Sequence, residues 1–366
     1  MKKTTLALVT GLILSAGVQA QTISFSDGEV TFAGDMRIDS QIRKTGENDT
    51  KYDSEGRLSL ETTYALTQNG YKLEAKVNPL LKTDGKLDID DVYLDIRGDG
   101  EDYMGVKLGR FEAMDLAPTQ VDIFAEDAEL QSVPKEMNIF AGHYNANTFR
   151  GRSENYGQVM FHGKRGIVNY ELNVMAGDYN GNDNSAIAIR PAVSFKFNDH
   201  VSWSTGIEKS FDSESIDSDV FGVGTTVNLK ANGFEANINY AYRDLDSDVK
   251  IGKETLKLLG IASAKPVSLD TKGDSNTLGA NVSYKGFGIG AAFTKVDGEV
   301  KHEKTKSDLD FSLTTVYAGY EHKNFLVNDL TIAGGAYFST SDFKASDRKE
   351  NDTKDKGARL RLQYNF

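Results

Sequence analysis

The chain has 366 residues, no cysteine, and 54 acidic against 42 basic side chains, for a formal net charge of −12. Without thiols there can be no disulfide framework, cysteine zinc site or thiol nucleophile, and the acidic balance argues against nucleic acid, whose phosphates want a basic footprint. Mean hydropathy is −0.44, and beyond the N-terminus no apolar stretch reaches the ~18 residues that a membrane-spanning helix needs.

Lys2 and Lys3, an apolar run from Leu6 to Leu14, and Val18-Gln19-Ala20 follow the charge, apolar, small-residue order of an export signal. Residues 1–20 are therefore expected to be a signal peptide, and 21–366 the folded unit. From there period-two alternation runs to the end of the chain. Val30, Phe32, Met36 and Ile38 alternate with Thr31, Ala33, Asp35, Arg37 and Asp39. Leu58, Leu60, Tyr64 and Leu66 alternate with Arg57, Ser59, Glu61 and Thr63. The pattern returns in 166–178 and 232–245, and closes the chain as Ala358, Leu360, Leu362, Tyr364 and Phe366 against Arg359, Arg361, Gln363 and Asn365. Each segment is a strand with one apolar and one strongly polar face.

Such segments number about sixteen, near residues 28–44, 54–68, 70–78, 88–97, 102–111, 147–161, 166–178, 185–197, 200–211, 218–230, 232–245, 274–285, 286–297, 307–321, 328–341 and 355–366. Most exceed the ordinary strand of about 5–6 residues, and no segment reads as a covering helix. Their connections alternate between short turns, several with Gly or Asn-Gly where a tight hairpin needs positive φ, and long polar loops such as 45–53, 112–146, 246–273 and 342–354. The expected fold is all-β: a transmembrane antiparallel β-barrel with lipid on the apolar side and water on the polar side. About sixteen strands leave an aqueous lumen. Tyr71, Phe161, Trp203, Phe234, Phe287 and Phe366 are placed for an aromatic girdle beside the short turns.

The chain at this point resembles the trimeric general-diffusion porins of Gram-negative bacteria. The features that carry the resemblance are the export signal, the sixteen strands, Val106-Lys107-Leu108-Gly109-Arg110-Phe111 before a long third loop, and a final Tyr364-Asn365-Phe366. The resemblance implies a homotrimer in the cell outer membrane, a third loop folded into each barrel, and an outer face among lipopolysaccharide. The third loop has Val133-Pro134-Lys135-Glu136 in place of the family's Pro-Glu-Phe-Gly-Gly-Asp tip, so exclusion limit and ion preference are not carried over.

The third loop, 112–146, is acidic: Glu112, Asp115, Asp122, Glu126, Asp127, Glu129 and Glu136 against Lys135. Its length points to a functional loop and not a connector. Strand parity puts Arg37, Arg57, Arg97, Arg150 and Arg152 on the lumen side, where guanidinium stays charged at any relevant pH. The resemblance aligns Arg57, Arg110 and Arg150 with the arginine cluster that faces the third loop. Arg110 shares the phase of Val106 and Leu108, which aims it at lipid; either a bulge near Gly109 turns it inward or Lys107 serves instead. The expected constriction has Arg37, Arg57, Arg110, Arg150 and Arg152 on its basic side, and Asp115, Asp122, Glu126, Asp127 and Glu129 on its acidic loop. A field between them would favour ions and small hydrophilic solutes.

No cofactor or metal is implied: 178–184 looks like a calcium loop but has no glutamate at the twelfth position. A barrel enzyme would need a nucleophile with a supported base, and none of His143, His162, His200, His302 and His322 has an evident Ser or Asp partner at its strand height. A sugar-selective channel would use aromatic tracks along the lumen, and only Tyr93 and Tyr156 stand in the inward phase. A structural barrel or adhesin would not need the charged lumen.

Overall fold

The computed structural model describes residues 20–25, 28–46, 49–118, 142–152, 155–178, 185–211, 218–251, 267–302, 305–345 and 351–366. The first half of the chain gives β1 (Gln21–Phe25), β2 (Gly28–Thr45), β3 (Lys51–Gln68), β4 (Tyr71–Lys82), β5 (Leu87–Gly98), β6 (Tyr103–Arg110), β7 (Asn155–Arg165), β8 (Val168–Asp178) and β9 (Ser185–Lys196). The second gives β10 (Val201–Phe211), β11 (Ser218–Ala231), β12 (Phe234–Ile251), β13 (Val267–Tyr284), β14 (Phe287–His302), β15 (Thr305–His322), β16 (Leu330–Ala345) and β17 (Asn351–Asn365). Sixteen of them, β2 to β17, pair antiparallel with their chain neighbours and close into a barrel.

Closure joins β17 to β2, from Asp355↔Thr45 down to Asn365↔Asp35. The terminal Phe366 exchanges both backbone hydrogen bonds with Gly34, at 2.6 and 2.9 Å. Beyond that point β1 takes the vacated edge of β2, with Gln21 opposite Phe32. A closed ring leaves no open ladder in hydrocarbon, the condition a spanning sheet must meet.

Alternation sorts the side chains as the pattern requires. On β2 Met36 and Ile38 stand outward, 50% and 45% exposed, while Asp39 in the opposite phase is 1% exposed. The turns Asn69-Gly70, Asn232-Gly233 and Lys285-Gly286 each hold both residues at positive φ, the conformation of a two-residue hairpin matched to strand twist.

The structure corrects three boundaries. The strand expected at 147–161 begins only at Asn155, and 147–152 belongs to the third connection. The expected alternation of short with long connections is incomplete, because β4 and β5 are joined on the loop side by only four residues, 83–86. Much of the expected loop 246–273 is strand: β12 runs to Ile251 and β13 starts at Val267, directly opposite each other. Hairpins with polar side chains project beyond the apolar band, so polarity alone read as loop. The expected signal segment (residue 20 aside), the tip of the third loop and the calcium-like 178–184 segment past Asp178 lie outside the described residues.

Candidate functional site

Two limbs of the third connection, 112–118 and 142–150, run along lumen-facing positions of β8 to β15. Leu116 packs in a cluster with Tyr144, Ala146, Ala192 and Ala241, all 5% exposed or less. The Leu116 carbonyl accepts from the Thr226 hydroxyl, and the Pro118 carbonyl accepts from the Asn237 amide at 2.6 Å. The His143 ring nitrogens meet the hydroxyls of Thr294 and Thr315, each at 2.8 Å. Burial pushes this imidazole down to about 4, so at neutral pH it is uncharged and can donate to one hydroxyl while accepting from the other.

A buried ionic cluster fixes both limbs. Arg190 on β9 is fully buried, 3.2 Å from Glu171 on β8 and 3.8 Å from Glu208 on β10. Arg190 donates to the Met114 carbonyl at 2.7 Å, the Ala146 carbonyl and the Asn147 side chain. Glu171 accepts the Met114 amide at 2.8 Å. Glu208 accepts from the Tyr144 hydroxyl and from the Phe149 amide. Charge taken out of water is tolerated only when paired and hydrogen-bonded all round, and here much of that pairing is with the loop backbone.

Glycine makes the close approach possible. A Cβ on Gly222 would lie 1.7 Å from the Tyr144 hydroxyl oxygen, and one on Gly224 would lie 2.5 Å from the Ala146 methyl. Gly222→Ala is therefore expected to lift the returning limb, lowering the melting temperature and widening the conducting path. Overpacking of this kind costs about 1–3 kcal/mol. Adding Tyr144→Phe, which removes the clashing oxygen, should restore part of both; no change in Tm or conductance with Gly222→Ala alone would refute the slot.

The opposite wall carries the arginines. In a sixteen-strand ring β2 and β10 lie half a turn apart, so the limbs on β8 to β15 face β17, β2 and β3. Arg37 and Arg57 are direct cross-strand partners. Asp39 lies 3.2 Å from Arg37, and Arg361 grips its carboxylate with two bonds of 2.7 and 3.0 Å. Arg57 lies 3.5 Å from Asp35, and Arg359 donates to Gln41 at 2.9 Å. Like charges placed opposite each other repel, and Asp35 and Asp39 offset that repulsion. Further round the wall, Lys76 bridges Glu61 and Asp91, Arg97 stands 4.0 Å from Asp95, and Lys107 rests over the Tyr93 ring.

Three expected members of the basic side are elsewhere. Arg110 stays in the outward phase, in register with Val92, and its Nε donates to the Ile89 and Asp90 carbonyls. The β5–β6 register runs without a shift, so Gly109, despite a φ of +129°, does not flip the phase. The bulge is across the sheet, where Asp90 is the extra residue of β5 opposite Asn78 and Pro79. Lys107 holds the lumen phase that Arg110 does not. Arg150 and Arg152 are in the third connection and not on a strand, and they neutralise its base. Arg150 reaches Glu112 at 3.3 Å and Asp115 at 3.6 Å; Arg152 reaches Asp90, Asp91 and Glu112 at 3.1, 2.8 and 3.7 Å.

Of the acidic set, Asp115 is thus spent on Arg150, while Asp122, Glu126, Asp127 and Glu129 lie outside the described residues. Sequence reasoning missed Arg190, Glu171, Glu208, Asp39, Arg359 and Arg361 as site residues. All six sit at lumen parity, which was the available signal; their partners are distant in sequence. Among the described lumen-side aromatics, Phe111, Tyr144, Phe149 and Tyr337 are 6% exposed or less, whereas Tyr93 is partly exposed with Lys107 over its ring.

The family model described as porin-like glycoporin RafY matches residues 19–366. No curated protein matches the chain. Among solved structures, OmpT of Vibrio cholerae, an outer membrane protein folded in vitro, is similar in fold at 13% identity and a TM-score of 0.58, covering 95% of this chain and 100% of that one. Its trimer form is 15% identical over 93% of this chain and 100% of that one, with a TM-score of 0.55. An anion-selective porin from Comamonas acidovorans gives the same identity, coverage and TM-score.

Proposed function

The chain belongs to the porin-like glycoporin RafY family, an outer-membrane porin channel, and on that footing we propose that it passes ions and small hydrophilic solutes passively, by diffusion through a charged constriction. The observation that carries the reading is the placement of the third connection: its limbs hug one half of the lumen wall, and Arg37, Arg57, Arg359 and Arg361 occupy the other half. A water-filled gap between a loop and a row of guanidinium groups selects by width and by field. Asp122, Glu126, Asp127 and Glu129 are the proposed acidic pole, since Asp115 and Glu112 are neutralised at the loop base. No step of bond making or breaking enters this function, which is transport and not catalysis.

The working form is proposed to be a homotrimer with lipopolysaccharide around its long-loop face, reached after loss of residues 1–20. The trimer form of OmpT from Vibrio cholerae, similar in fold, supports the assembly. Planar-bilayer recording of purified protein tests the reading: insertions in steps of three with conductance rising with salt are expected, and a silent bilayer would refute it.

A sugar-selective channel is the second reading. The family's description as a glycoporin favours it. The hydroxyl and amide row of β11 to β16, from Thr226 to Ser339, does not add to it, because those side chains are 5% exposed or less and several are bonded to the third connection. The burial of Phe111, Tyr144, Phe149 and Tyr337, and the Lys107 ammonium over the Tyr93 ring, favour the first reading, because stacking on sugar rings needs open faces. Current block by an oligosaccharide at millimolar concentration would select the second.

A further inference from the structure

One short-turn connection differs from its neighbours. The turns at 69–70, 232–233 and 285–286 are two residues long, whereas β15 and β16 are joined by seven, 323–329. Three of these are non-glycine residues at positive φ: Asn324, Leu326 and Asp329. Leucine has no local hydrogen bond to offer in the left-handed region, which disfavours its Cβ. Yet Leu326 is held there at φ +66° and is 84% exposed, with Val327 at 55%. The turn is braced to hold them out: the Val327 amide donates to the Phe325 carbonyl at 2.8 Å, the Asp329 amide to the Asn324 side chain at 2.9 Å, and the Phe325 amide to the Leu330 carbonyl at 2.7 Å.

The turn continues a belt of rings on the outer face. Phe287 and Tyr320 lie 4.4 Å apart between ring centroids, Tyr320 is 6.2 Å from His322, and His322 meets Phe325 edge-on at 5.9 Å. Such rings mark the headgroup level of a barrel. Leu326 and Val327 extend the belt one step past the strand ends, and Lys323 beside them is 75% exposed while pairing with Glu321 at 3.2 Å. Apolar side chains next to a cation suit the boundary between acyl chains and phosphates.

We propose that the 323–329 turn is a lipid-binding finger, with Leu326 and Val327 inserted into the headgroup–acyl boundary of the leaflet at the short-turn rim. Its partner is phospholipid, and its work is to fix the tilt and rotation of the barrel, which interfacial anchors set. Strain retained at an exposed apolar tip is accounted for by this contact, because water gives such a tip nothing in return.

The chain has no cysteine, so Leu326→Cys can be labelled at one site with an environment-sensitive fluorophore. Glu101→Cys, on the exposed polar turn 99–102 of the same rim, is the reference. Both proteins go into phosphatidylcholine vesicles carrying spin-labelled lipid at headgroup or acyl depth, with aqueous iodide as the competing quencher. The expected result at position 326 is blue-shifted emission, quenching by shallow acyl spin labels several-fold stronger than at position 101, and weak quenching by iodide. Iodide quenching equal at the two sites would overturn the proposal. So would shielding from iodide without lipid quenching, the mark of a protein partner or a second copy.

Discussion

Arg190→Met is expected to free the third loop from the barrel wall, raising single-channel conductance and lowering the temperature at which the loop limbs come away. The side chain is fully buried and holds two glutamates and three loop acceptors at once. Its loss leaves Glu171 and Glu208 uncompensated, and breaking a buried pair from one side costs about 3–5 kcal/mol. That exceeds what the apolar seat of Leu116 contributes, since fully burying a leucine is worth about 1.5–3 kcal/mol. The barrel, held by its ladders, should still form. A triple variant with Glu171→Gln and Glu208→Gln added should recover part of the docking, because neutral amides leave no buried charge behind. Conductance and thermal profile unchanged from the parent in Arg190→Met would rule out the tether.

The second large effect concerns charge. Arg37→Ala with Arg57→Ala should raise the permeability of cations over anions and shift the reversal potential in a salt gradient accordingly. Asp39 keeps Arg361 as its partner, whereas Asp35 loses Arg57 and turns an offset carboxylate into an exposed one. A unit charge about 4 Å from a passing ion changes its energy by about 1 kcal/mol in water, and a factor of about five in local concentration follows per uncompensated charge. The shift should fade as ionic strength rises, because the screening length falls to about 3 Å at 1 M salt. An unmoved reversal potential at low salt would discard the arginine wall as a selectivity element. Arg150→Ala, by contrast, should act through loop position, since its partners are Glu112, Asp115 and the Ala113 carbonyl.

Arg110 shows where reasoning from sequence gave out. Parity aims it at lipid, and the sequence offers either a bulge near Gly109 to turn it inward or Lys107 in its place. The register keeps Arg110 outward and Lys107 in the lumen phase. The bulge exists, but on β5 at Asp90, in a partner strand whose register cannot be read from β6. Arg150 and Arg152 failed for a related reason. Their alternation continues that of β7, yet Gly151 at φ +121° and Arg152 at +62° take the chain off the strand.

What the sequence determined by itself is whatever depends on neighbours along the chain. The side-chain period of two sets which residues meet lipid and which meet water, Asn-Gly pairs set the tight turns, and the number of alternating segments sets the size of the ring. What tertiary structure alone decided is which lumen groups face each other across that ring. Glu171, Arg190 and Glu208 sit on three successive strands and look like ordinary wetted wall positions. They become a buried clamp only because the third loop returns to cover them, and a strand's periodicity holds no information about what its inner face will touch.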